Sequence, residues 1–247
     1  MKKSKGNRIK AAQLGTVALL AAAAKFLYSN ASVNDLQWIL GPTASLVELT
    51  NGERFEFESY AGYINHDYSF LIAGSCSGMN FLIIAFVILS LLKLFGSARP
   101  GNVSWMFVPV TALIAFFATI VANAVRISVA LRIHRMQPES VWVNPDQLHR
   151  FQGIFVYFGF LLLLFILCEK LWRGNEHRTN THSFRFWRFA VPLLVYWAIT
   201  LGIPLLHGAR REEVSFLEHS LFVVLTPLAL ILPIGIIEFI KIRRAEL

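Results

Sequence analysis

The side chains best suited to attack a carbonyl are Cys76, in Ala73-Gly-Ser-Cys-Ser-Gly-Met-Asn80, Arg126, in Ala122-Asn-Ala-Val-Arg-Ile127, and His149, in His149-Arg-Phe-Gln-Gly153. A thiol and an imidazole are the minimal pair for an activated sulfur nucleophile. A guanidinium adds a fixed cation for the oxyanion that attack creates. Each residue lies at the end of a long apolar segment: the start of one, the end of the next, and the start of the one after. A chain crossing a bilayer three times in succession brings those three points to one face.

The elements that would position them are membrane helices. Of 247 residues, 55% are hydrophobic and 15% charged, against roughly 25% charged in a soluble domain. Residues 68–92, 100–125, 151–168, 189–206 and 220–237 carry no Lys, Arg, Asp or Glu. Each is long enough to cross a hydrocarbon core of about 30 Å. Residues 11–28 make a sixth run, broken only by Lys25, whose stem can reach the interface. The expectation is one integral-membrane domain over residues 1–247, an all-α polytopic bundle of about six transmembrane helices. The first helix is expected to be an anchor rather than a cleaved leader.

Basic residues set the expected orientation. With both termini inside, 15 of the 23 Lys and Arg face the cytoplasm and 8 face outward, in the sense of the positive-inside rule. The sequence pI of 9.8 then reflects topology, and the cations are too scattered over short loops for a nucleic-acid surface. Helical rise supports a single layer for the three residues. Cys76 lies about 25 Å from Lys93, and Arg126 about 33 Å from Ser104. His149 directly precedes its span. All three are expected at the outer face of the cytoplasmic membrane.

Residues 29–67 form the largest extramembrane piece, expected as an extracytoplasmic insert between the first and second spans. Asn51-Gly52 suggests a tight turn between residues 46–50 and 53–58, whose apolar and acidic residues alternate as in a strand. The expected product is a small hairpin. Residues 36–40 suggest a short interfacial helix ended by Gly41-Pro42.

Plainer roles exist for each residue. Cys168, in a run of Leu and Phe, fits a buried small hydrophobe. Cys76 differs, because Gly74, Ser75, Ser77 and Gly78 allow close approach, and a helix start offers unpaired N–H groups to the sulfur. Arg126 could anchor at the interface, but Asn123 three residues earlier makes a polar patch with it. His149 alone would be an ordinary interfacial histidine. No metal or cofactor is expected: His66, His134, His177, His182, His207 and His219 lack a second ligand at i+3 or i+4.

Together these residues resemble the exosortase/archaeosortase family of membrane cysteine proteases and transpeptidases. The family's motifs are Cys-Ser-Gly after small residues, Asn-x-x-Arg late in a helix, and His-x-x-x-Gly opening the next. Here they stand in that order as Cys76-Ser-Gly78, Asn123-Ala-Val-Arg126 and His149-Arg-Phe-Gln-Gly153. The resemblance covers residues 60–172 by motif and the whole chain by hydropathy. The compact length and the Cys-Ser-Gly-Met-Asn variant suggest the subgroup called exosortase K. The last two apolar runs carry no matching motif.

The resemblance implies catalysis by Cys76, Arg126 and His149, supported by Ser75, Ser77, Gly78, Asn80, Asn123 and Gly153. It implies substrates that are secreted proteins ending in a short motif, a transmembrane helix and a basic cluster. The enzyme would cleave that signal outside the membrane and transfer the protein to a surface polymer or lipid. Two alternatives stay open. One is a non-catalytic membrane subunit, a permease component or assembly factor, with Arg126 and Asn123 lining a polar cavity. The other is an intramembrane protease that only hydrolyses.

Overall fold

A computed structural model describes residues 2–67, 69–96, 103–136, 145–173, 185–202, 205 and 213–245, in two compact units, Met1–Pro145 and Asp146–Leu247. In the first unit, helix α1 (Lys2–Ser29) leads through a 3-10 turn (Asn34–Leu36) into α2 (Gln37–Asn51). Strands β1 (Phe55–Glu58), β2 (Gly62–Asn65) and β3 (Leu71–Ala73) follow, then a 3-10 turn (Gly74–Cys76), α3 (Met79–Gly96) and α4 (Phe107–Met136). The second unit holds α5 (Pro145–Arg173), α6 (Arg185–Trp197) with a π-turn (Ala198–Gly202), and α7 (Glu213–Ala245).

Four helical stretches are long and apolar enough to cross a membrane: Gly6–Ser29, Gly74–Gly96, Phe107–Met136 and Arg150–Trp172. Ala190–Gly202 and Ser220–Pro233 are shorter apolar helices. Residues 68, 100–102, 203–204 and 206, which belong to the apolar runs of the sequence, lie outside the described residues. The chain is thus a mostly helical membrane protein with a small sheet between its first two spans. Exposed Leu19, Phe26 and Leu27 on α1, and Leu113 and Phe117 on α4, suit lipid better than water.

Three helix pairs, α1 with α3, α3 with α4 and α2 with α4, build the first unit. The Lys10 ammonium lies over the Phe95 ring and Lys25 Nζ donates to Asn80 Oδ1, so α1 and α3 run antiparallel. The same fifteen-residue interval separates the two contacts on each helix. Buried Ser90 and Thr111 hydroxyls bond each other across α3 and α4 at 3.1 Å. Thr111 and Thr119 also donate back to the carbonyls of Phe107 and Ala115, so these polar groups are satisfied within apolar helices.

The insert departs from expectation. Residues 46–50 are not a strand: they belong to α2, which continues through Gly41-Pro42 instead of ending there. Ile39, Leu40, Thr43, Ala44 and Val47 are buried and repeat at helical spacing. Pro42 falls on the exposed side, where its missing donor is least costly. Gly52 does adopt positive φ (73°), but as the left-handed cap of α2, its N–H donating to the Glu48 carbonyl at 2.8 Å. Ser32 and Asp35 cap the preceding turn by reciprocal hydrogen bonds.

Helix α2 lies along the C-terminal half of α4 in the same direction. Trp38 stacks on Phe116 near one end, with ring centroids 5.7 Å apart, and Asn51 Nδ2 donates to Ser128 Oγ at 2.7 Å near the other. Beyond it Glu53 pairs with Arg135. The hairpin joins β1 to β2 through Ser59-Tyr60-Ala61, later than the sequence suggests, and β3 extends it to three antiparallel strands. Gly62 is obligatory in this arrangement, since a Cβ there would stand 2.3 Å from the Ile72 carbonyl oxygen. Ile72, Phe55, Leu36, Ile39, Leu40, Val47, Ile127 and Leu131 form one core, against which Cys76 packs.

Candidate functional site

Strand β3 runs directly into the turn that carries the thiol. Ser77 N–H donates to the Gly74 carbonyl at 3.1 Å, closing the turn, and Leu82 N–H donates to Gly78 at 3.0 Å, opening α3. Cys76 therefore does not sit in the first turn of the membrane helix, as its sequence position suggests. A reversal at Gly78, with φ of 73°, separates it from α3. Cys76 itself is partly exposed.

The turn is fastened to α4. Asn123, fully buried, donates from Nδ2 to the Cys76 carbonyl oxygen at 2.5 Å. Gly78 faces the same stretch of helix: a Cβ there would come within 3.0 Å of Thr119 Cγ2 and 3.4 Å of Asn123 Cγ and Nδ2. Two sequence motifs are thus one packed unit. Gly78 lets the turn approach α4 closely, and Asn123 locks it by its carbonyl.

Arg126 follows Asn123 by three residues, about 4.5 Å further along α4, on a neighbouring part of the same face. It is partly buried. Ser75 is exposed, whereas the Ser77 hydroxyl is wholly buried beside the thiol and lacks a hydrogen-bond partner among the described residues. Asn80, in the first turn of α3, accepts from Lys25 Nζ at 2.7 Å. That ammonium also lies 5.5 Å from the Tyr28 ring centre. Lys25 does not simply reach for the interface. It ties the C-terminal part of α1 to the helix that follows the thiol, a role signalled only by its being the one charge in an apolar run.

His149 is the fifth residue of α5, in the second unit, and its side chain is outside the described residues. Gly153 and Gln152, one turn further on, are buried. Within that unit Phe158 meets Tyr196 edge-on at 5.3 Å, and Trp197 Nε1 donates to the Val223 carbonyl at 3.1 Å. These contacts hold α5 against α6, and α6 against α7. Cys168, buried on α5, is a packing residue.

Chemically, the first unit offers a partly exposed thiol on a rigid turn, with a guanidinium on the helix that holds the turn. Among the described residues no group of His, Cys, Asp or Glu could hold a metal ion. Comparison with family models, curated proteins and solved structures finds no match to this chain.

Proposed function

We propose that the chain is a membrane cysteine protease and transpeptidase of the exosortase type, working at the outer face of the cytoplasmic membrane. The observation that carries this reading is the anchoring of the Cys76 turn to Asn123. Two of the three motifs that prompt the resemblance meet in one structural unit, which a chance occurrence of short motifs gives no reason to expect. Six spans with both termini inside are part of the proposal, the two shorter apolar helices serving as the fifth and sixth.

In this mechanism the Cys76 sulfur, relieved of its proton by His149, attacks the scissile carbonyl carbon. The carbonyl electron pair moves to oxygen, and the Arg126 guanidinium stabilises the resulting oxyanion. As the intermediate collapses the C–N bond breaks, and His149 returns the proton to the departing amine. The acyl-thioester then meets an acceptor whose proton passes to His149 and on to the released thiol. Hydrolysis is the same sequence with water as acceptor. Substrates are secreted proteins ending in a short motif, an apolar helix and a basic cluster, and the acceptor is a surface polymer or lipid.

The test is co-expression with a secreted protein of that design from the same genome, and mass analysis of its new C-terminus. Loss of the terminal helix with the native chain, and retention with Cys76→Ala, is the expected result. Cleavage by the Cys76→Ala protein would overturn the proposal.

A further inference from the structure

The sheet beside the thiol has two outer strands, β1 and β3, and only β3 leads to the thiol. On β1 the outer N–H of Phe55 is taken by Glu48 Oε1 at 2.7 Å. On β3 the bonding pattern can be followed residue by residue. Asn65 N–H donates to the Phe70 carbonyl at 3.2 Å, and the register pairs Tyr63 with Ile72. Antiparallel pairs alternate between bonded and non-bonded, so Ile72 faces β2 while the N–H and C=O groups of Leu71 and Ala73 point outward. The Ala73 carbonyl is taken into the 3-10 turn that follows as its first acceptor, which leaves the Leu71 N–H and C=O and the Ala73 N–H unmatched by any further strand of this sheet. An unguarded edge is a template for another extended backbone.

This edge leads to the nucleophile. Ala73 is followed at once by the turn Gly74–Cys76, so a chain paired at Ala73 is within about 10 Å of the sulfur. Ile72 is fully buried and Leu71 is 43% exposed. One face of the strand is therefore sealed by the core, while Leu71 on the other face is exposed.

We propose that the outer edge of β3 is the docking strand for substrate, pairing with the extended backbone just N-terminal to the scissile bond. This deepens the proposed function and rests on it. The direction follows from topology. Strand β3 runs into α3 and so towards the membrane, and a substrate that continues into its own membrane helix runs the same way. The two backbones lie parallel, with slanted hydrogen bonds at Leu71 and Ala73. Affinity comes from main-chain bonds, and selectivity from alternate side chains of the peptide, one of them over Leu71.

Ala73 offers a clean test, because its φ of −76° is already that of proline. Ala73→Pro deletes the outward N–H, and the extended Ile72 tolerates a following proline. Full-length Cys168→Ala protein in lipid nanodiscs is treated with acetyl-Ala-Ala-Ala chloromethyl ketone and, separately, with chloroacetone. In both, the Cys76 sulfur forms a bond to the chloromethyl carbon and chloride leaves. The peptide reagent should react at least about tenfold faster than chloroacetone, and Ala73→Pro should remove most of that advantage, as loss of one hydrogen bond does. Chloroacetone should react within about twofold in both proteins.

As a second measurement on the unaltered chain, methylating the reagent's amide nitrogens one at a time should abolish the advantage at one position. A peptide advantage that is absent, or that survives both Ala73→Pro and every methylation, overturns edge docking while leaving the nucleophile in place. Chloroacetone labelling of Cys76 that is indifferent to His149→Ala tells instead against the catalytic reading itself.

Discussion

The Asn123 amide donates to the carbonyl oxygen of Cys76 at 2.5 Å, fixing the thiol-bearing turn to a helix 47 residues further along the chain. The bond is made to backbone, so it constrains where Cys76 sits without using the sulfur. Asn123→Ala should lower stability by about 1–3 kcal/mol through an unpaired carbonyl. Asn123→Asp should cost more at neutral pH, since a buried carboxylate repels that oxygen, and should recover as pH falls and the acid can donate. Thermal unfolding in detergent at two pH values checks both, and equal melting of the two variants at all pH would contradict the assigned donor.

Gly78 combines a left-handed backbone with contact against α4. Gly78→Ala should cost about 1–2 kcal/mol for the backbone alone, plus a clash with Thr119. Thr119→Ser removes the clashing Cγ2 while keeping the hydroxyl bond to Ala115. The double variant should therefore recover the steric part only. Additive losses in the double-mutant cycle would show that the contact is unimportant.

The roles of the three motif residues separate by substitution. Cys76→Ala should abolish product. His149→Ala should be nearly as severe and should ease at higher pH, if the imidazole serves to form thiolate. Arg126→Lys keeps charge but loses the planar donor fork, and should fall by about 10²-fold. Near-normal turnover in both Arg126→Lys and Arg126→Ala would make Arg126 an interface anchor.

Tyr63, on the central strand, has its phenol pushed above its ordinary range, first by burial and then by the negative charge of Glu48. The neutral phenol is the form the fold favours, so the stability it contributes is complete below about pH 10, the unfolded value. That contribution disappears as pH climbs through the folded value. Phenolate difference absorbance between native protein and Tyr63→Phe should show late titration. Glu48→Gln should advance the titration without restoring the ordinary value, because burial remains. An unchanged titration in Glu48→Gln would remove the carboxylate from the account.

Orientation is checked by impermeant thiol labelling of intact cells, in a background lacking both native cysteines. A cysteine at Tyr60, 82% exposed on the hairpin loop, should label from outside. One at Asn7, near the exposed start of α1, should label only after lysis. The reverse pattern would put the thiol in the cytoplasm, out of reach of a secreted substrate.

Membrane helices were legible because hydropathy is a property of long runs, and the pairing of Cys-Ser-Gly with Asn-x-x-Arg because both motifs end apolar segments. The insert was harder. Leu46-Val-Glu-Leu-Thr50 alternates like a strand over five residues, but its helical period shows only when Ile39, Thr43 and Ala44 are counted with Val47. Asn51-Gly52 correctly signalled positive φ, which serves a helix cap as well as a hairpin turn. Lys25 looked like a snorkelling charge because nothing local points to Asn80, 55 residues away.

The two ends of the insert also meet. A Cβ on Gly74, where the chain re-enters the thiol turn, would lie 3.5 Å from side-chain atoms of both Val33 and Leu36, just after α1 ends. Such a closed excursion can lengthen or shorten at its far tip without moving its base. The hairpin loop around Tyr60, 82% exposed, is thus where added or removed residues should leave the thiol turn undisturbed.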